Sequence, residues 1–330
     1  MIIANFSPFS GQHCETTATG NLLQHLGVTL SEPMLFGLGE GLGFVYWKQR
    51  SMEAPFLGGR SKPDCITRCL AANLQLALDV RETASVRTAW EQVRGRIDSG
   101  IPVGLKLDSY YLDYFTQKIH FAAHYVALYG YDSAGAYLVD TRQQGGAVTV
   151  PLASLERARN ARGPMASKNL AYTLRGPAEP PELAGAIRRA IRQNAAAFLN
   201  PPIANLGYRG IEKASRELVA WAGSCADPSG PLRHMALLME RGGTGGALFR
   251  NLYRDFLGQS LALVDDPRLE RAHARFCQIA PRWTEVARLL QEAAEKGLQP
   301  GLTEAAALLQ ELAGQEKAAL EPLLRLEQGD

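Results

Sequence analysis

A short proline-rich segment divides this chain of 330 residues into two parts with different patterns. Three prolines fall within residues 177–181, and neither a helix interior nor a central strand tolerates such a run. Before this segment, helical and strand-like patterns alternate, whereas after it nearly every stretch has the apolar period of a helix. At roughly 150 residues per domain, the length also suits two domains. We therefore predict domains at residues 1–176 and 182–330, joined by residues 176–181.

The composition is that of a folded globular protein, because 46% of the residues are apolar and 21% are charged. A formal net charge of +2 leaves no overall basic field to attract nucleic acid. No window reaches the ~18 uninterrupted apolar residues of a membrane span, and the first residues lack the pattern of a secretion signal. The five cysteines are an odd number without the spacing of a disulfide framework. We expect a soluble, cytoplasmic protein that does not bind nucleic acid.

The first part combines helices with a later series of strands. The predicted helices cover residues 14–26, a short helix from Ser31, 64–78 and 86–98, and the predicted strands cover 80–84, 101–107, 122–131, 136–140, 146–150 and 169–174. Ser85 is the expected N-cap of the fourth helix, and residues 132–135 carry a hairpin-turn signal. Helices followed by strands with short connections predict an α+β fold with an antiparallel sheet.

The second part is predicted to be an all-α domain. Its expected helices cover residues 182–199, 210–223, 230–241, 247–264, 267–295 and 302–325. Pro281 is expected to break or kink the fifth of these helices. The apolar stripe in residues 248–257 has helical spacing and is interpreted as core. Apolar helix faces of this kind also permit a homodimer.

Three residues of the first part have the chemistry needed for nucleophilic catalysis. Cys14 lies at the start of a predicted helix, where the helix dipole and unpaired backbone N–H groups favour a thiolate and can stabilise an oxyanion. His124 lies in an otherwise apolar strand, and Asp140 ends the next strand. Adjacent antiparallel strands can bring these two side chains within hydrogen-bond distance. The order predicts a Cys–His–Asp triad, although each residue taken alone is more often structural.

The same order of residues resembles papain-like cysteine enzymes. The segment HYVALYGYDSAGAYLVDT is similar to the His–Asp hairpin of bacteriocin-processing cysteine peptidases. Two further segments, GQHCETTATGNLL and SEPMLFGLGEGLGFVYW, resemble the butirosin biosynthesis protein H family. The later segment GGTGGALFRNLYRDFL and the helices after it resemble the helical C-terminal region of that family.

This resemblance implies a papain-like catalytic domain, a helical second domain and an acyltransferase activity. The enzyme would move an acyl or aminoacyl group from the thioester of an acyl carrier protein to a small-molecule amine, as in natural-product biosynthesis. Cys14 would be the nucleophile, His124 the base and Asp140 the residue that orients the base. The phosphopantetheine arm arrives with the donor, so the enzyme itself is expected to need no cofactor.

The oxyanion hole and the base leave alternatives open. The peptidases carry a glutamine several residues before the cysteine, whereas here Pro8 lies in that region and Gln12 is two residues before Cys14. The backbone N–H of Cys14 is therefore the safer oxyanion donor. His120 is a second candidate base, and His13 and Gln12 are candidate substrate contacts.

The glycine-rich segment 37–44 does not fit a dinucleotide-binding motif, because a helix precedes it and an aromatic stretch follows it. Glycines permit close backbone approach, so we expect the segment beside the catalytic pocket. Phe44, Tyr46 and Trp47 are predicted to form an apolar wall for an acyl chain or a pantetheine arm. Glu40 is a candidate for binding the amine, with a solvated loop carboxylate as the alternative.

Arg188, Arg189 and Arg192 are predicted to share one face of the first helix in the second part. Guanidinium groups bind carboxylates and phosphates, so these residues are candidates for docking an acidic carrier protein. Solvated surface charge is the simpler alternative. Cys65 and Cys69 share a helix face, but no further ligands complete a metal site, and no metal is expected.

Two other functions stay open from the sequence. A cysteine peptidase or amidase would use the same triad, whereas a non-catalytic binding or assembly protein would carry an inert cysteine. Thiol reactivity distinguishes the enzymes from the binding protein. Competition between an added amine and water distinguishes transfer from hydrolysis.

Overall fold

The computed structural model describes residues 1–60, 62–163, 165–176 and 182–326. The predicted connecting segment lies outside the described residues except for Gly176. The chain forms two compact units. The first comprises Met1–Leu35 and Ile66–Pro181, and the second comprises Phe36–Cys65 and Glu182–Asp330.

The segment Phe36–Cys65 distinguishes these units from the predicted domains. The predicted first domain contains this segment, whereas its contacts assign it to the second unit. Gly37 shows the reason, since an added Cβ would lie 2.0 Å from the ring of Phe256 in the same unit. The glycine-rich segment therefore packs closely against a helix of the second unit. The domain boundaries at residues 176 and 182 stay predictions.

The described residues form eleven α-helices and eight β-strands. In chain order they are α1 (Cys14–His25), α2 (Glu32–Leu38), β1 (Val45–Trp47), β2 (Phe56–Gly58), α3 (Cys65–Asn73), β3 (Ala77–Arg81), α4 (Val86–Asp98), β4 (Val103–Leu107), β5 (His124–Tyr131), β6 (Ala136–Val139), β7 (Ala147–Val150), α5 (Leu152–Arg159), β8 (Ala171–Arg175), α6 (Leu183–Leu199), α7 (Gly207–Ser224), α8 (Ser229–Arg241), α9 (Arg250–Ser260), α10 (Pro267–Lys296) and α11 (Gly301–Leu320).

A six-stranded antiparallel sheet organises the first unit, with the strand order β3-β8-β4-β5-β6-β7. Leu105 pairs with Val126 across β4 and β5, and both side chains belong to a buried core that also contains Val93 and Ile97 of α4. The same register places Leu107 opposite His124 at the beginning of β5. This sheet, followed by an all-helical region, confirms the predicted α+β class.

Local signals predicted several boundaries in the first unit correctly. Ser85 is the N-cap of α4, and its side chain accepts a hydrogen bond from the Thr88 N–H at 3.2 Å. The β5–β6 hairpin turns at Asp132, whose side chain accepts from the Ala134 N–H at 2.8 Å. The helix α5 and the two short strands β1 and β2 were not predicted.

The second unit contains helices α6 to α11 and the small β1–β2 sheet. The predicted single helix over residues 247–264 is wrong at its start. Ala247, Leu248 and Phe249 all have positive φ angles, of 50°, 48° and 75°, so the α-helix begins only at Arg250. Pro281 lies inside α10, which continues through it without a break.

The buried side chains of the second unit include one ion pair. Arg250 and Glu316 are both fully buried, and the Arg250 Nε donates to Glu316 at 2.7 Å. The Trp283 indole N–H donates to the same carboxylate at 2.6 Å. These bonds satisfy groups whose burial alone would destabilise the fold. Within the described residues, none of the helices is both long and apolar enough to cross a bilayer.

Candidate active site

Cys14 is the first residue of α1 in the first unit. It follows the nucleophile loop, which we define as residues 10–13, and it is partly exposed. The first helical turn is closed by the hydrogen bond from the Thr17 N–H to the His13 carbonyl oxygen at 2.9 Å. Backbone N–H groups at a helix start point outward and attract negative charge. The structure therefore presents the thiol where the sequence predicted it.

His124 and Asp140 form a buried pair at one end of the β5–β6 hairpin. The distance between His124 Nε2 and Asp140 Oδ2 is 2.8 Å, and the two side chains are 8% and 0% exposed. His124 begins β5 and Asp140 directly follows β6, so the antiparallel pairing brings them together. Because Nε2 faces Asp140, Nδ1 is the ring nitrogen left to interact with the Cys14 side chain.

Opposing effects determine the protonation of His124. Burial lowers the pKa of the imidazole, whereas the charge of Asp140, the hydrogen bond to Asp140 and the contact with Cys14 raise it, to about 10. The favourable interactions win because each acts on a ring that water reaches poorly. The raised pKa favours the protonated ring, an imidazolium, beside the Asp140 carboxylate and the Cys14 sulfur.

Tyr114 and Phe115 complete the surroundings of this pair, and sequence reasoning missed both. The Tyr114 hydroxyl donates to Asp140 Oδ2 at 2.7 Å, and the Phe115 ring meets the His124 ring edge-on at 5.2 Å. Burial and the charge of Asp140 raise the pKa of Tyr114 well above its ordinary value. Both residues lie in the irregular loop between β4 and β5, where no periodicity indicates direction.

The nucleophile loop is fastened to the residues that follow β6. The Ser10 hydroxyl donates to the Asp140 carbonyl oxygen at 3.3 Å, and the Arg142 N–H donates to the Gly11 carbonyl oxygen at 2.9 Å. The Arg142 Nε donates to the Ser10 carbonyl oxygen at 2.7 Å. These bonds fix the position of the cysteine-bearing segment relative to Asp140.

Glu32, at the start of α2, holds the other side of the nucleophile loop. Its carboxylate accepts the Gln12 N–H at 2.8 Å, the His13 N–H at 2.8 Å and the Thr16 hydroxyl at 2.9 Å. The sequence indicates only that Glu32 belongs to a helix start, because its partners are distant along the chain. Its role in the loop was therefore missed.

The rival base His120 has a different partner. His120 Nδ1 lies 2.8 Å from Asp108 Oδ2, and the ring stacks on Tyr110 with centroids 3.9 Å apart. Its side chain is 62% exposed. His124, rather than His120, is the histidine that bonds to Asp140. His13 is buried beside Cys14, and Gln12 is exposed.

The residues predicted to contact the acyl group lie in the second unit. Phe44 and Tyr46 are fully buried, and Phe44 packs on Trp283 with ring centroids 5.6 Å apart. These are positions of core residues, so the structure gives no support to an acyl wall formed by them. Trp47 is 39% exposed, and Glu40 is partly buried with a φ of 53°. Their predicted roles stay predictions.

The arginines predicted to dock a carrier protein lie on α6. All three are partly buried, and Arg192 Nη1 donates to the Leu326 carbonyl oxygen at 3.5 Å. Their docking role also stays a prediction. In the described part of the chain, no three His, Cys, Asp or Glu side chains come together as a metal site.

The fold and this site define an α+β protein with a buried His–Asp pair beside a cysteine at a helix start. The model described as "Domain of unknown function (DUF4872)" matches residues 153–323, more than half of the chain. The model described as "Butirosin biosynthesis protein H, N-terminal" matches residues 13–141. The chain belongs to the family of the first model and, through the second, to the butirosin biosynthesis protein H-like proteins. No curated protein matches the chain.

The second match covers the three candidate catalytic residues. It begins one residue before Cys14 and ends one residue after Asp140. Its description points to biosynthesis of the butirosin type, and thus to natural-product biosynthesis.

Proposed function

We propose that this protein is an acyltransferase that moves an acyl group from a thioester to an amine through an acyl-Cys14 intermediate. The observation that carries the proposal is the buried His124, which lies 2.8 Å from Asp140 and interacts with the side chain of Cys14. A thiol, an imidazole and a carboxylate in this order are the groups of a nucleophilic acyl-transfer site.

The first half of the reaction acylates the cysteine. The Cys14 thiolate attacks the thioester carbonyl carbon, and a tetrahedral intermediate forms. The bond between that carbon and the pantetheine sulfur then breaks, and the His124 imidazolium gives its proton to the departing sulfur. The products are acyl-Cys14, a free pantetheine thiol and a neutral imidazole.

The second half forms the amide. The amine nitrogen attacks the acyl-Cys14 carbonyl carbon and gives a proton to the neutral His124. The carbon–sulfur bond to Cys14 breaks, and the thiolate and imidazolium are restored. Asp140 holds the ring orientation and stabilises the imidazolium in both halves. Transfer rather than hydrolysis requires that the amine reaches the intermediate before water does.

The backbone N–H of Cys14 is the proposed oxyanion donor. Glu32 already accepts the N–H groups of Gln12 and His13, but it does not accept that of Cys14. A backbone N–H of the attacking residue is also near the developing charge, because the carbon that carries the oxyanion is bonded to the sulfur of the same residue.

The proposed donor is an acyl carrier protein, and the proposed acceptor is a small natural-product amine. The description of the matched N-terminal family supports a place in natural-product biosynthesis. Carrier proteins present their acyl group on a phosphopantetheine arm, so the arginines of α6 are proposed to contact the acidic carrier.

The experiment that tests this function is intact-mass spectrometry of the protein after exposure to a panel of acyl-pantetheine thioesters. Native protein is expected to gain the mass of the acyl group, and Cys14→Ala is expected to gain none. Addition of a primary amine should discharge the adduct and yield the amide. An adduct that persists in Cys14→Ala would contradict the proposal.

A cysteine peptidase or amidase gives a different outcome in the same experiment. Its acyl-enzyme loses the acyl group to water at a rate that added amine does not change. A protein that alkylates at Cys14 but takes no acyl group from any thioester would then be assayed with peptides and amides. A protein that does neither is the non-catalytic alternative.

A further inference from the structure

The carboxylate of Glu32 makes more hydrogen bonds to the nucleophile loop than any side chain of the triad. The Gln12 N–H lies 2.8 Å from both carboxylate oxygens, and the His13 N–H lies 2.8 Å from Oε1. The Thr16 hydroxyl donates to Oε1 at 2.9 Å. Glu32 thus contacts the two residues before Cys14 and one residue of the following turn.

The position of Gly11 shows how closely this carboxylate is fitted. A Cβ added to Gly11 would lie 2.6 Å from Glu32 Oε1 and 2.9 Å from the Thr17 hydroxyl oxygen. The Gly11 N–H already donates to that hydroxyl at 3.1 Å. The loop can take this path only because residue 11 has no side chain, and the carboxylate fills the space beside it.

This arrangement has two consequences for Cys14. The bonds fix the backbone on which the nucleophile and its own N–H are carried. They also occupy the two preceding N–H groups, which would otherwise compete for the developing negative charge of the substrate. With only the Cys14 N–H left for the substrate, the oxyanion can be stabilised at one position rather than at several.

We propose that Glu32 is a positioning residue, which sets the place of Cys14 and of its backbone N–H through the Gln12 and His13 amides. The inference rests on the proposed acyl transfer through Cys14. Displacement of a nucleophile by about 1 Å can slow a reaction about 100-fold, so loss of the carboxylate should act on the acylation step.

The test compares Glu32→Ala and Glu32→Gln with native protein in single-turnover acylation by an acyl-pantetheine thioester. Glu32→Ala should acylate about 100-fold more slowly at saturating donor, with little change in the half-saturating concentration. Glu32 is partly exposed, so sodium formate should enter the vacated space and restore part of the rate. Sodium chloride at the same ionic strength should not. Glu32→Gln keeps the space filled, so formate should not restore its rate.

Asp132 provides a matched control in the same unit. Its carboxylate also accepts two backbone N–H groups and one hydroxyl, from Ala134, Gly135 and Tyr137. Asp132→Ala removes the same kinds of bond at the far end of the β5–β6 hairpin, and it should acylate at the native rate. Circular dichroism of each variant reports folding, and Glu32→Gln decides the test if Glu32→Ala does not fold.

The outcomes separate this inference from the proposed function. Acylation of Glu32→Ala at the native rate, an equal loss in Asp132→Ala, or no effect of formate would overturn the role of Glu32 while acyl transfer stands. If no thioester acylates native protein, the proposed function fails. Alkylation of Cys14 by iodoacetamide at pH 6 then decides the role of Glu32. A slower rate in Glu32→Ala that formate restores supports it, and an unchanged rate overturns it.

Discussion

At the residue scale, Asp140 is the side chain on which the protonation of the site depends. Its Oδ2 accepts from both His124 and Tyr114, and its Oδ1 accepts from the Thr141 N–H at 2.6 Å. A carboxylate with three donors is held in one orientation. The orientation of His124 follows from it, and with it the nitrogen that faces Cys14.

Asp140→Asn should lower the rate of Cys14 acylation by about 10⁴-fold, because an amide neither stabilises the imidazolium nor fixes the correct tautomer. The expected defect is in the rate at saturating donor rather than in donor binding. Stopped-flow acylation with Asp132→Asn as the control measures it. Native rates in Asp140→Asn would remove Asp140 from the triad.

The His124–Asp140 pair makes the stability of the folded protein depend on pH. The pKa of His124 is raised from 6.5 to about 10 in the folded chain, so the folded state holds this proton more tightly than the unfolded state. The contribution is complete below about pH 6.5 and is lost as the pH rises to about 10. Urea unfolding at pH 6 and pH 9.5 should therefore show a larger alkaline loss of stability in native protein than in Asp140→Asn. Equal losses would contradict the charged pair.

Tyr114→Phe should change the pKa of His124 in the opposite direction from Asp140→Asn. Without the hydroxyl donor, Asp140 Oδ2 keeps more negative charge for His124, so the pKa of His124 should rise further. In a plot of the Cys14 acylation rate against pH, the fall in rate on the alkaline side should then shift to higher pH. The lost bond to a charged group should also cost about 1.5 to 3 kcal/mol of unfolding free energy. An unshifted profile would mean that Tyr114 only fills space.

At the element scale, helix ends and hairpins were predictable because each depends on a few neighbouring residues. Ser85 caps α4, and the residues around Asp132 turn the β5–β6 hairpin, as their types indicate. The start of α9 was not predictable in the same way. Its apolar stripe continues into residues 247–249, and only the tertiary structure shows that their backbone is left-handed.

Ser85→Ala tests the predictable kind of boundary. It removes the acceptor for the Thr88 N–H and should lower the free energy of unfolding by about 1 kcal/mol. Ser85→Asp keeps an acceptor and should retain native stability. The rate of Cys14 acylation should be unchanged in both variants, because Ser85 is an exposed residue at the start of α4. Urea denaturation measures the difference, and equal stability of Ser85→Ala and Ser85→Asp would contradict the cap.

At the scale of the whole molecule, the sequence separated a mixed part from a helical part but placed one segment differently. Residues 37–44 begin in the last turn of α2 and continue after it, so chain order alone assigned them to the first part. Their packing partner, Phe256, is distant along the sequence. The candidate catalytic residues could be picked out because their chemistry is unusual, whereas Glu32 and Tyr114 were missed because Glu and Tyr are common in any loop or helix start. The homodimer stays a prediction.

The arginines of α6 lead to a prediction about the donor. If the arginines of α6 bind an acidic carrier protein, Arg188→Glu with Arg189→Glu should weaken use of the carrier-borne donor. Each reversed charge costs roughly 1 kcal/mol where the side chain is still reached by solvent, so the half-saturating carrier concentration should rise about 10-fold or more at low salt. Acylation by a small acyl-pantetheine should be unchanged, because that donor has no carrier to dock. Arg233→Glu on α8 changes a single charge of the same type at an exposed position and serves as the control. An equal loss with both donors would place the effect on folding, and no loss with either would remove these arginines from the carrier surface.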